Sequence, residues 1–438
     1  VLEGSSQQPA GTQSTGALGA QAIFGATIGN VLEFYDFITY SFFAIQIGHA
    51  FFPSHNQYSS LMLSLATFGA GFITRPIGGL IIGAYADRAG RRPAMLLSFS
   101  MMGCAIILLA LTPPYSAIGI FAPILAICAR MVQGFSLGGE VGPTTAYLVE
   151  AAALHRRGFA VSWQPASQQI AATAGSLVGF VLARTMSSAA LDSYGWRIAF
   201  LIGAITLPFG LWVRSRLPET LHRSEDEAPV TPADGNFAIL RSHARIIVLS
   251  LMILASGTII TYVTQYMTTY AENTLKVAAD LAFATTLVGN AIGICAALLG
   301  GWLADRAGRR PIMIWPQLAA LLLTYPIFLW IVETRSAFAL LGGFGILQLI
   351  GTIPYSAFYA AFAEGLPQGV RGRAMATLYA IAIALFGGTA QPIVTWLIRM
   401  SGNALAPAWY LLLATALGLF AMSLMRETAP VKLQADKR

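Results

Sequence analysis

The sequence predicts an all-α membrane protein, twelve transmembrane helices in two six-helix bundles, and three observations carry that prediction. Of the 438 residues, 56% are hydrophobic and only 10% charged, and the mean hydropathy is +0.66; soluble domains carry roughly 25% charged residues. Apolar stretches of about 20 residues, enough to cross a hydrocarbon core of ~30 Å, begin near residues 20, 60, 94, 118, 157, 196, 243, 280, 312, 337, 373 and 407. Finally, "GAYADRAGRRP" at 83–93 returns as "GWLADRAGRRP" at 301–311, each copy directly after the second span of its half. Only helices and closed barrels satisfy the backbone in lipid, and these continuous runs lack the alternation of barrel strands.

Residues 1–19 are rich in Gly, Ser, Gln and Thr without a basic n-region, and are expected to form a disordered cytoplasmic tail rather than a signal peptide. Residues 20–213 are the first bundle. Residues 214–242, with Pro218, Pro229, Pro232 and the mixed-charge "HRSEDEAP", read as a cytoplasmic linker. The second bundle is 243–425 and a cytoplasmic tail closes the chain at 426–438. "RLPET" after span six and "MRET" after span twelve echo one another. Two parallel repeats joined in this way place a binding site near the midplane between them.

The net charge of +7 is topological rather than a nucleic-acid signal. With the N-terminus cytoplasmic, 19 Lys and Arg fall on inner loops and the tail, and five on outer loops: Arg184, Arg197, Lys276, Arg335 and Arg399. That imbalance is the positive-inside pattern, so both termini are expected in the cytoplasm. Cys104, Cys128 and Cys295 lie in apolar runs without CxxC spacing, expected to be small buried hydrophobes with no disulfide and no metal site. The five histidines have no ligand spacing, and no GxxxxGK[ST] suggests a nucleotide. No cofactor and no catalytic residue is expected.

Five charges sit inside spans, all in the first half: Glu33, Asp36, Arg75, Arg130 and Glu140. Each costs at least ~2.5 kcal/mol near the bilayer centre, so they should face a polar cavity and pair. Arg130 lies roughly 18 Å into span four at ~1.5 Å per residue, and Asp36 reaches a comparable depth in span one from the opposite side. Depth therefore allows Asp36 to pair with Arg130 and Glu33 with Arg75. A carboxylate balanced between desolvation and a guanidinium suits proton coupling; the alternative is a fixed network joining spans one, two and four. Glu140, among "GGE" glycines, is read equally as helix packing or proton exit. Tyr40, four residues beyond Asp36, could share the site.

The second half offers neutral hydrogen-bonding groups instead. "TYVTQY" places Thr261 and Gln265 on one face at i and i+4, with Tyr262 beside them. Asn290, Gln348, Tyr355, Tyr359 and Tyr379 are further candidates, each weighed against an ordinary interhelical hydrogen bond of about 0.6 kcal/mol. In span five Gln164 and Gln168, also at i and i+4, flank Pro165, which frees backbone groups. Amides, hydroxyls and a deep arginine suit an anionic organic acid better than a sugar. A zwitterion would want an aromatic cage, which the tyrosines of spans one and seven leave open.

The tandem G-x-x-x-D-R-x-G-R-R loops, with "RMVQG" at 130–134, resemble the major facilitator superfamily. "GNVLEFYDF" (29–37), "GFITRPIGG" (71–79) and "QGFSLGGE" (133–140) are similar to its metabolite/proton symporter group, whose members carry citrate, dicarboxylates, shikimate, aromatic acids, or proline and betaine. "SWQPASQQ" (162–169) and "IGHAFFP" (47–53) look most like the citrate and tricarballylate proton symporters. The resemblance covers residues 20 to 425. It implies the major facilitator fold, an inner-membrane location, protons as coupling ion, an organic acid substrate and activity as a monomer. It also implies a gating lock at the repeated loops, carried here by Asp87, Arg88 and Arg91 and by Asp305, Arg306 and Arg309. The competing readings are an osmolyte carrier, an exporter of drugs or aromatic compounds, and a ligand sensor that transports nothing.

Overall fold

The computed structural model describes residues 20–89, 91–138, 152–215, 244–366 and 368–435, with Thr145, Leu148 and Val149 between them. The expected tail 1–19, all but the first two residues of the expected linker, and Glu140 lie outside the described residues. So do the side chains of Asp87 and Arg91.

Twelve helical segments follow the apolar runs in order. Span one is Ala20–Phe42, continued by Ala44–Phe51; span two is Gln57–Ile73, continued by Arg75–Ala89. Spans three to six are Arg91–Leu111, Phe121–Leu137, Arg157–Thr185 and Trp196–Ser215. Spans seven to ten are Ala244–Gln265, Ala279–Ala307, Arg309–Thr334 and Ala337–Glu364. Span eleven runs as Gln368–Ala382, a π turn at Ile383–Gly387 and Gly388–Ser401, and span twelve is Ala406–Leu424. Eight of the described helical runs are long and apolar enough to cross a bilayer, and Leu96–Leu111 and Phe121–Leu137 are shorter apolar helices. The expected cytoplasmic tail carries a short helix, Pro430–Ala435.

Local chemistry sets the boundaries. Asn56 accepts from the Tyr58 amide at 3.0 Å to start span two, and Ser336 accepts from Ala339 to start span ten. Between spans eight and nine the chain turns at Gly308 with φ +100°, a conformation that glycine reaches without steric cost.

The outward surface is apolar: Leu80, Phe338, Ile205 and Leu413 are each more than 70% exposed. Water would not tolerate so much contiguous hydrocarbon, whereas lipid does. The same fact corrects the expectation for the cysteines. Cys104, Cys128 and Cys295 are exposed on the outside of the bundle, because in lipid a small apolar side chain gains nothing special from burial.

Since lipid tails are as apolar as leucine, close packing must hold the helices, and small residues provide it. Spans two and four touch backbone to backbone: a Cβ at Gly134 would fall on the Gly71 carbonyl, one at Gly78 on the Phe135 carbonyl and one at Gly138 on that of Arg75. The two halves meet along two seams. In one, spans five and eight pack along their length with span ten beside them, Gly158 against Gly301. In the other, span two meets span eleven, Gly69 lying on Gly388.

Replacing Gly134 by Leu should force spans two and four apart and cost about 3 kcal/mol or more. The readout is a lower Tm for the detergent-solubilised protein. Gly83→Ala is the control: the added methyl meets nothing within 4 Å, so the expected effect is between neutral and about 1 kcal/mol stabilising.

Candidate functional site

A cavity of about 880 Å³, open solvent at its mouth included, lies between the seams and is walled by spans five, seven, eight, ten and eleven. Seven of the predicted substrate-binding side chains come together here: Gln168, Tyr262, Gln265 and Asn290, with the tyrosines at 355, 359 and 379. Among the described lining residues there is no carboxylate.

Two candidates lie elsewhere. Gln164 is fully buried one turn behind the wall, where its Oε1 accepts from Gln168 Nε2 at 3.3 Å, and Pro165 lines the cavity in its stead. Tyr40 faces away, its hydroxyl donating to the Ser64 carbonyl at 3.3 Å. Gln169 and Thr352 were not singled out from the sequence, yet Gln169 Nε2 reaches Thr352 Oγ1 across the seam at 3.4 Å. The adjacent glutamines of "SWQPASQQ" were the available signal; the i, i+4 rule picked only one of them.

The two deep arginines differ in what they can reach. Arg75 follows a break at Thr74, whose hydroxyl donates to the Met131 carbonyl of span four at 2.7 Å and anchors the turn. Its guanidinium lies 4.3 Å from the Phe37 ring centroid and 4.7 Å from that of Phe72. It lines a small recess with Tyr379 and Ile383, both of which also border the main cavity. Arg75 Nε and Nη2 are buried without a hydrogen-bond partner. Unsatisfied guanidinium donors beside a cavity favour an anion there.

Arg130 is sealed. Phe37, Tyr40 and Phe68 surround it at 4.3, 4.6 and 4.9 Å, and Nη1 donates to Gln133 Oε1 at 2.6 Å. It borders no part of the cavity wall. Phe37 thus stands between two guanidinium groups and offers both a π face.

The expected ion pairs do not form. Asp36 turns toward span six, where a Cβ on Gly203 would meet its Oδ1, and that oxygen has no hydrogen-bond partner. Tyr35, next to it, donates to the Ala199 carbonyl of span six at 3.0 Å. Phe37 takes the side of span one that faces the arginines. Each residue turns a helix by about 100°, so Asp36 cannot share that direction. No ion pair links Arg75 to Glu33 among the described residues, and Glu33 is buried.

Contacts between the halves lie toward both ends of the bundle. At the face carrying the repeated loops, Asp305 accepts from the amides of Gly158 and Phe159, both at 2.8 Å, and so caps span five of the other half. Arg309, with no exposed side-chain surface, binds Asp305 at 2.7 Å and Glu364 at 2.9 Å. Thr428 donates to Glu364 and Glu427 caps span nine through the Arg309 and Arg310 amides. Arg306 stands outside this lock, 3.9 Å over the Trp302 ring. Of the first-half copy, Arg88 is exposed.

On the opposite face, Gln391 Nε2 donates to Ser41 Oγ at 2.6 Å, and Arg184 binds Asp280 at 3.0 Å. There Gln46 also donates to Glu272 at 3.4 Å, and His49 lies 3.4 Å from Asp192. Glu272 sits beyond the end of span seven. Burial foremost, and then the nearby Asp192 charge, push its carboxyl above the usual carboxylate range, against smaller opposing effects of Gln46, His49 and Lys276.

Known proteins give this arrangement a context. A citrate-proton symporter of Salmonella typhi is 36% identical over 429 residues, 96% of each chain. One of Klebsiella pneumoniae is 34% identical, covering 95% of this chain and 94% of its own. An alpha-ketoglutarate permease of Escherichia coli (strain K12) is 36% identical over 405 residues, covering 92% of this chain and 93% of its own. The crystal structure of a D-xylose-proton symporter shares the fold at 20% identity, with a TM-score of 0.73 over 93% of this chain and 97% of that one. The profile of the Major Facilitator Superfamily matches residues 26–382. With both six-helix bundles, the repeated loops and the central cavity in place, the chain belongs to the Major Facilitator Superfamily.

Proposed function

We propose that the chain is a secondary carrier of the inner membrane that couples proton influx to uptake of an anionic organic acid, a citrate-like tricarboxylate or a dicarboxylate, by alternating access. The carrying observation is Arg75: a buried cation with unsatisfied donors at the edge of a cavity otherwise lined by amides, hydroxyls and apolar groups. The similarity to the citrate-proton symporters and the alpha-ketoglutarate permease supports the same substrate class. Both termini are assigned to the cytoplasm from the 19 to five division of basic residues. The repeated-loop face is then inner and the Glu272 face outer.

In this reading Arg75 draws a substrate carboxylate, and Gln168, Gln265 and the cavity tyrosines orient it. Asp36 carries the proton, with Glu33 as second candidate, and Arg130 balances charge from within its aromatic box without touching substrate. Proton and substrate each favour the occluded arrangement, and their coupling is reciprocal. The four tyrosines around the cavity also favour a second reading, a zwitterion whose ammonium group lies on their faces.

Proteoliposomes with an inward proton gradient should accumulate labelled citrate or α-ketoglutarate, and betaine should not compete. Absence of gradient-stimulated acid uptake, with betaine taken up instead, would establish the second reading. Arg75→Gln should weaken acid uptake by about tenfold to a hundredfold, the worth of a charged hydrogen bond. Asp36→Asn should abolish accumulation while counterflow exchange persists; surviving accumulation removes Asp36 as proton carrier.

Glu272 yields a pH dependence. Its affinity for a proton is higher when the outer face is closed, so protonation stabilises closure. That contribution is full below the open-state carboxylate value and is lost as pH rises through the raised one. Labelling of a Thr269→Cys variant by a charged thiol reagent, taken relative to a Ser54→Cys variant at an exposed position so that the falling thiolate fraction cancels, should therefore slow as external pH falls from about 8 to about 5. Glu272→Gln should flatten that dependence.

A further inference from the structure

The cavity touches both seams, and its two ends differ in chemistry. At the span-two and span-eleven seam stands Arg75, reached past Tyr379 and Ile383. At the other seam there is no charge; three amides gather instead. Gln169 comes from the first half, Asn290 and Gln348 from the second, and Thr352 lies one turn beyond Gln348.

Their mutual contacts fix how these amides point. Gln348 Nε2 donates to Asn290 Oδ1 at 2.8 Å, which leaves Asn290 Nδ2 as a free donor. Asn290 is only 4% exposed and Gln348 5%, so that donor has lost water without gaining a partner. An unmet buried donor is costly, and a site that carries one is disposed toward an acceptor. Gln169 lies flat on Gly293, where an added Cβ would come within 2.8 Å of its amide. That glycine gives the amide room to stay at the wall beside Asn290.

We infer that Gln169, Asn290 and Gln348 form a second carboxylate-reading site, which takes the far end of a diacid whose near end is held at Arg75. This rests on the organic-acid reading above and adds the demand for a hydrogen-bonding group at both ends of the substrate. Neutral donors fit the charge balance. The deep side chains comprise two arginines and two carboxylates within the described first half, so a second cation at the far end would hold a dianion without needing a proton. Amides instead discriminate between a carboxylate and a methyl terminus, because a methyl leaves Asn290 Nδ2 unmet. A ligand spanning the cavity engages both seams at once, and so binds the closed arrangement better than one in which either seam has parted.

The test is competition against labelled α-ketoglutarate uptake by the full-length protein in proteoliposomes, with glutarate and pentanoate as five-carbon competitors carrying two carboxylates and one. Glutarate should compete at least about tenfold better than pentanoate. Asn290→Leu and Gln348→Leu should raise the KM for labelled α-ketoglutarate, itself a diacid, by about tenfold and shrink that ratio to within about twofold, with the inhibition constant of pentanoate unchanged, which also reports that the variants are folded. Asn290→Asp, similar in volume but anionic, should weaken glutarate and spare pentanoate. Equal competition in the unaltered protein, a preserved ratio in the variants, or equal weakening of both acids would each overturn the second site while leaving organic-acid transport intact. Failure of the unaltered protein to take up labelled acid at all would instead remove the organic-acid reading, and this inference with it.

Discussion

Two guanidinium groups share one phenyl ring, and much of the first half is organised by the need to keep them there. Arg75 and Arg130 lie on Phe37 at 4.3 Å each, deep in a structure with no solvent to disperse their charge. Aromatic faces provide part of what water would, and Phe68 and Phe72 complete the enclosure. Two like charges so close repel one another. Of the two, it is Arg75 that stands beside the cavity, while Arg130 is held behind the aromatic rings. The backbone contact of spans two and four follows from the same need: without glycines at 71, 78, 134 and 138 the helices bearing the two arginines could not approach closely enough to share the ring.

Around this pair the halves do different work. The first contributes charge, the second an array of neutral donors and acceptors, and the cavity is where the two chemistries meet. Because its wall draws on both halves, parting of the seam at span five takes one side of it away. Binding and closure are therefore one process seen from two sides, which is what alternating access requires of a site at the interface of two bundles.

The fold was largely legible. Apolar run length fixed the helices to within a few residues of their observed starts, since the hydrocarbon thickness imposes one length on every span. The repeated loop disclosed the two bundles. The site was legible in depth but not in direction. Counting residues brought this stretch of span one to Arg130, where Phe37 lies 4.3 Å from the guanidinium, but the pairing also depends on azimuth. In a helix that is apolar all round, no hydrophobic stripe reveals which way a residue points. Phe37, an unremarkable aromatic by pattern, holds the direction that Asp36 was expected to take. Gln169 escaped for a related reason: facing a glycine across a seam is a property of two distant segments, and neither announces it alone.

The lock at the repeated-loop face has an uneven construction. Asp305 and Arg309 contribute side chains, whereas span five answers with the bare amides of Gly158 and Phe159. An amide has no rotamer to lose, no proton to exchange in the physiological range and no side chain for mutation to erase. Substitution of Asp305 or Arg309 removes a partner outright, whereas in span five it is a side chain added at Gly158 that would intrude on both. The second-half loop can therefore keep its hold on span five through any change of side chain there that leaves Gly158 small.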